Sequence, residues 1–266
     1  MNNKYVFFIT SIFLYLTLTG CGNSNNGTGF NLFTLQQDRE LGAQVAREID
    51  GNKQQYPVLD SARNVQAYKF LYDMRDKILN AGNVIHKDEF QWRLRIIQDD
   101  ETLNAFCTPG GYIYVYTGLM KYLDAEDQLA GVLAHEIAHA DYRHSTRQIT
   151  RQYGIQVLLN VLAGDRAALK QITAGLIGLR FSRKHETEAD KGSVLYLCPT
   201  SYNAAGGAEF FKKIEAAGGT RPPEFLSTHP NPKNRIEVFY QEQLEQGCKG
   251  NNDYKTRYQK FLASLP

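Results

Sequence analysis

Beyond residue 20 the 266-residue chain lacks any apolar run approaching the roughly 20 residues that a membrane span requires, so no transmembrane helix is expected there. A basic stripe is missing as well: 30 Lys+Arg against 28 Asp+Glu give +2, with the two signs interspersed. That excludes nucleic acid as an expected partner. Eight prolines and 22 glycines leave no low-complexity linker to divide the chain, and no repeat of solenoid period occurs. A single folded domain is the consequence. Cysteine is scarce too. With Cys21 set apart for the reason given below, Cys107, Cys198 and Cys248 remain, an odd number at spacings that suit no zinc knuckle. Either one disulfide joins Cys198 to Cys248 or all three are buried thiols.

What is present begins with an export signal. Lys4 is a short basic region, and residues 5–19 form an uncharged apolar run of the length of a signal core. The run ends in Leu18-Thr19-Gly20-Cys21, which resembles the lipobox of bacterial lipoproteins. The resemblance implies a mature chain that starts at a diacylated Cys21, anchored stably because each buried CH₂ contributes about 0.8 kcal/mol. Gly22 rather than Asp follows it, which by resemblance to enterobacterial sorting points to the outer membrane, facing the periplasm. Residues 22–29 are polar, rich in Gly and Asn, and read as a flexible tether. The organisation is therefore a signal segment 1–20, an acylated cysteine and tether 21–33, and one domain 34–266.

An apolar content of 42% with 12% aromatic residues is enough to build that domain's core. Apolar residues at helical spacing predict helices over 34–49, 62–79, 124–143, 152–162, 167–179, 183–197, 204–217, 232–246 and 254–264. Residues 90–97 and 111–116 read as strands, the second following the turn Pro109-Gly110-Gly111. The fold class is α+β, mostly helical, with helices packed on one small sheet.

The chemistry resides in His135-Glu136-Ile137-Ala138-His139, within the predicted helix 124–143. On a helix, residues four apart share a face, so both imidazoles can reach one metal ion while Glu136 points about 100° round, toward a metal-bound water. That is the arrangement of a zinc hydrolase. The metzincin pattern fails, because its required Gly and third His fall on Tyr142 and Ser145. His144 lies one residue out of that register and reads as a helix-end residue. A charged run, residues 181–190, follows downstream.

Four motifs stand in order: Asn104-Ala105-Phe106 with Pro109-Gly110-Gly111-Tyr112, the HEIAH helix, the E-x-x-A-D of Glu186 to Asp190, and His229-Pro230 with Arg235. Together they resemble the HtpX and CAAX prenyl-protease family of zinc metallopeptidases, metallopeptidase family forty-eight, and specifically its small periplasmic lipoprotein members. The resemblance implies a zincin-type domain binding one Zn²⁺ per chain through His135, His139 and Glu186. It makes Glu136 the general base and Asp190 the partner that orients a ligand histidine. His229 and Arg235 are implied to contact the substrate carbonyl or oxyanion, and His229 to close over the zinc in some members. Helical geometry agrees that Glu188 lies about 200° round from Glu186, whereas Asp190 lies one turn beyond it.

The sheet is expected to present residues 111–116 as an open edge, where Gly111, Tyr112, Ile113 and Tyr114 bind a peptide by strand addition. The expected function is zinc-dependent endopeptidase action on unfolded or misassembled envelope proteins, with envelope assembly machinery as a further partner. The rival is a proteolytically silent zinc-binding lipoprotein acting as a chaperone or outer-membrane assembly module.

Overall fold

The first helix, α1 (Leu35–Gly51), is started by a capping box: Thr34 accepts from the Gln37 amide while the Gln37 side chain accepts from the Thr34 amide. Such a cap contributes about 1 kcal/mol. The computed structural model describes residues 31–153, 155–217, 223–230 and 234–266, so Cys21, the signal segment and most of the expected tether lie outside the described residues. After α1 come α2 (Val65–Leu79), β1 (Arg93–Ile97), β2 (Ala105–Thr108), β3 (Tyr112–Tyr116), α3 (Thr117–Tyr122), α4 (Glu126–Asp141) and α5 (His144–Gln152). The chain continues through α6 (Ile155–Leu162), α7 (Arg166–Ile177), α8 (Arg183–Leu197), α9 (Gly207–Ala217), α10 (Glu224–Thr228), α11 (Arg235–Glu245) and α12 (Lys255–Leu262). No described helix is long and apolar enough to cross a membrane. The mostly helical α+β class with one small sheet is as expected.

The sheet corrects one expectation. Its order is β1-β3-β2, with β3 parallel to β1 and antiparallel to β2, so residues 111–116 supply the central strand and no open edge. Tyr112, Ile113 and Tyr114 are paired on both sides. Gly111 enters the strand at φ 81°, in a turn where a Cβ would stand 3.0 Å from the Trp92 amide nitrogen. Ile113 and Val115 face one core cluster and Tyr112, Tyr114 and Tyr116 the other, so β3 is buried on both faces. The outer strand that packs against α4 is β2, which lies between the two strands read from the sequence and is in neither.

Helix α4 is the core of the molecule: all 16 of its residues are buried, between β2, α8 and α9. Its contact with α9 is backbone against backbone at Gly131, where a Cβ would fall 2.4 Å from the Gly207 nitrogen. Alanine at a mid-helix glycine gains about 1 kcal/mol of helix propensity. Here the clash is with main chain that cannot rotate away, and overpacking of this kind costs about 1–3 kcal/mol. Gly131→Ala is therefore expected to lose stability in urea unfolding, whereas Gly51→Ala, with nothing within 4 Å of its Cβ, is not. Of the two cysteine arrangements left open above, the structure has the disulfide Cys198–Cys248, which ties the end of α8 to the residues after α11, and leaves Cys107 buried and free.

Candidate metal and catalytic site

Two helices bring the chemistry together. On α4, His135 and His139 stand one turn apart, and α8, started by Ser182 accepting from the His185 amide, presents Glu186 and Asp190 one turn apart. The Nε2 atoms of His135 and His139 are 3.0 Å apart, and Glu186 oxygens lie 3.6 and 3.5 Å from them. His229, just after α10, completes the group: its Nδ1 is 3.3 Å from His135 Nε2 and 3.2 Å from Glu186 Oε1. One ligand atom from each of these four buried residues lies within 4.8 Å of all the others.

The group fits a metal ion. Burial holds the His135 and His139 imidazoles well below their ordinary value, with Arg235 adding to the effect at His135 and His135 itself at His139, so both rings are neutral. An Asp190 oxygen lies 2.9 Å from His135 Nδ1, and a proton kept on Nδ1 by that carboxylate leaves the His135 Nε2 lone pair pointing at His139. Such a lone pair in a dry pocket calls for a cation, and the donor set of two imidazoles and a carboxylate suits zinc. Although burial opposes its charge, Glu186 is held well below the usual carboxylate range, first by His229 and then by His139 and Arg235.

Glu136 lies beside this group. It is fully buried, His229 Nε2 is 3.5 Å from its Oε1, and neither carboxylate oxygen has a hydrogen-bond partner. Burial pushes its carboxyl up to about 7, with Glu186 adding to the rise and His229 opposing it. A base with that value is poised to exchange a proton near neutral pH. Cys107 of β2 is its neighbour, and burial together with Glu136 pushes that thiol well up.

Arg235, in the first turn of α11, is placed behind the ligands. Its guanidinium grips Asp190 through two bonds of 2.8 and 2.5 Å, stands 3.1 Å from Glu186, and lies over the Phe211 ring at 4.0 Å. With only 1% of its surface exposed, it is engaged by the two carboxylates. Burial lifts Asp190 to about 6 against the pull of Arg235. Gly111, Tyr112, Ile113 and Tyr114 are not brought to the site; the Tyr114 hydroxyl instead meets Asp50 at 3.0 Å on the far face of the sheet.

Two residues at the site escaped the sequence reading. His144, expected at a helix end, is fully buried with Nδ1 3.0 Å from His139 Nδ1. Glu188 does face away from the ligand group, yet its Oε2 is 3.1 Å from His144 Nε2. The available signals were a third histidine five residues after the second and an acid two residues after Glu186.

The chain is similar to known proteases. The mitochondrial metalloendopeptidase OMA1 of Arabidopsis thaliana is 32% identical over 158 residues, covering 59% of this chain and 32% of that protein. OMA1 of Schizosaccharomyces pombe is 34% identical over 154 residues, 56% of this chain and 45% of its own length. The beta-barrel assembly-enhancing protease of Escherichia coli K12 is 28% identical over 236 residues, 83% of this chain and 46% of that protein. The chain thus spans from about a third to just under half of the length of these curated relatives. The profile described as Peptidase family M48 matches residues 73–242, a span that holds His135, Glu136, His139, Glu186, Asp190, His229 and Arg235, and the chain belongs to that family.

Proposed function

We propose that this chain is a zinc metalloendopeptidase of the bacterial envelope that cleaves unfolded or misassembled envelope proteins. The observation that carries the reading is Glu136, a buried carboxylate with no hydrogen-bond partner, set beside His135, His139 and Glu186. A zinc ion held by those three residues would supply a Lewis acid and make water acidic near neutral pH. Glu136 takes the proton of the attacking water and hands it to the leaving amine. Asp190 fixes the tautomer of His135, and Arg235 holds Asp190 in place. His229 has to yield its position to admit a substrate carbonyl, and from the rim of the group it can then donate to the developing oxyanion. The peptide-binding role expected of residues 111–116 passes to β2, the outer strand beside α4, where an extended peptide can add through its main chain.

Attachment through acylated Cys21, a place at the outer membrane facing the periplasm and contact with assembly machinery belong to the same proposal. They draw on the lipobox-like residues 18–21 and on the beta-barrel assembly-enhancing protease among the relatives. The silent zinc-binding chaperone has one observation in its favour: with His229 included, the group is a closed set of four ligands, as structural zinc sites are. An unpartnered buried Glu136 has no use in such a module. Digestion of denatured casein by the zinc-loaded chain separates the two, cleavage supporting the peptidase and intact casein at full zinc content supporting the module. Asp190→Ala leaves the His135 Nδ1 proton and the Arg235 guanidinium without their buried acceptor. Zinc affinity, measured by competition with a chromophoric chelator, is expected to fall by about 10–100-fold.

A further inference from the structure

Helix α4 stops at Asp141, and Arg143 adopts a left-handed conformation, φ 58°, before α5 starts at His144. The turn is held from α1 by the Asp38 carboxylate, which accepts from Arg143 Nε at 2.5 Å, while Arg143 also donates to the Phe33 carbonyl. Had the helix run on, His144 would lie five residues past His139 and about 140° round from it. Instead its ring is turned back onto His139, Nδ1 to Nδ1 at 3.0 Å, with His185 stacked on it at 4.4 Å and 12°. Its other nitrogen faces Glu188 at 3.1 Å.

Proton accounting fixes the roles. His139 Nδ1 and His144 Nδ1 face away from the metal group, and with no cation between them one of two ring nitrogens 3.0 Å apart carries the proton and the other accepts it. A His139 that offers Nε2 to a metal carries its proton on Nδ1, so His144 Nδ1 is the acceptor and the proton of neutral His144 sits on Nε2, donated to Glu188. The opposite tautomer of His144 would set one N–H against another and a lone pair against a carboxylate. We infer that His144 and Glu188 are positioning residues of the metal site, a histidine–carboxylate relay that locks His139 with Nε2 turned to the metal. They do for His139 what Asp190 does directly for His135. The inference rests on the metal-site reading above.

The test uses the full chain and zinc alone, with affinity read by chelator competition and the metal-free unfolding midpoint as a check on folding. His144→Phe removes the acceptor and is expected to weaken zinc by about 10–100-fold. His144→Asn places an amide oxygen near the former Nδ1 and should recover most of that loss. Glu188→Ala is expected to weaken zinc less than His144→Phe does, and Glu188→Gln, which still accepts, less again. A nitrogen NMR spectrum of the zinc-loaded wild type should show the His144 proton on Nε2, a signature that packing alone would not set. Wild-type zinc affinity in a folded His144→Phe chain, or a His144 proton on Nδ1, overturns the relay while the metal site stands. Should His144→Phe fail to fold, the nitrogen spectrum and the Glu188 pair decide. A wild-type chain that binds no zinc removes the metal site, and the relay with it.

Discussion

Glu136→Gln is expected to keep about one zinc per chain and to lose at least ~100-fold in peptide hydrolysis, the low end of what a positioned general base contributes. The substitution keeps the shape of the side chain and every proposed ligand. Because neither oxygen of Glu136 is hydrogen-bonded, the charge contact with His229 at 3.5 Å is the one interaction weakened with the charge. The same isolation gives the variant a second signature. A carboxyl whose folded value is raised from 4.5 to about 7 destabilises the fold when ionised, so above pH 7 the metal-free Gln variant should exceed wild type by roughly 1–3 kcal/mol. As pH falls from 7 toward 4.5 the folded wild type takes up its proton first, and the gap should close. Urea unfolding of both proteins at several pH values checks this, and retained hydrolysis by Glu136→Gln would refute its role as base.

Glu186→Ala is expected to strip the metal altogether. Of the three proposed ligands only His135 and His139 remain, with His229 beside them, and the carboxylate that pulls on His229, His139 and Arg235 together is gone. Breaking one partner out of a buried ionic group commonly costs about 3–5 kcal/mol, and here Arg235 keeps Asp190, so the loss should sit at the low end. Zinc content after dialysis should fall to background and hydrolysis with it. A variant that retains zinc would remove Glu186 from the ligand set and leave His229 as the third member of the group.

Which of the site residues share a helix face was legible in the sequence because that depends on helical period alone, whereas the choice of Glu186 as third ligand came from the family resemblance. His135 with His139, and Glu186 with Asp190, are pairs four residues apart on single uninterrupted helices, and each pair faces one way whatever the rest of the chain does. His144 was illegible for the converse reason. The sequence ends a helix at residue 143, but the turn that carries the ring back onto His139 depends on a left-handed arginine held by Asp38, more than a hundred residues earlier, and no local pattern announces that conformation. The sheet failed in a similar way: Tyr112 to Tyr116 identify themselves as a strand, but whether a strand is central or outer depends on partners elsewhere in the chain. One of those partners, Ala105-Phe106-Cys107-Thr108, is only four residues long and buried on both faces, so it shows no alternation to read. Arg235 carried a family motif, yet which of its possible acceptors it meets depended on how α11 packs against α8.

The central claim is that His135, His139 and Glu186 hold one catalytic zinc beside Glu136. Diffraction from crystals of the zinc-loaded chain at the zinc absorption edge tests it most directly. The account predicts one strong anomalous peak about 2.0–2.2 Å from the Nε2 atoms of His135 and His139 and from a Glu186 oxygen. A peak held instead by His144, His185 or Glu188, or no peak between the two α4 histidines at full zinc occupancy, would contradict it.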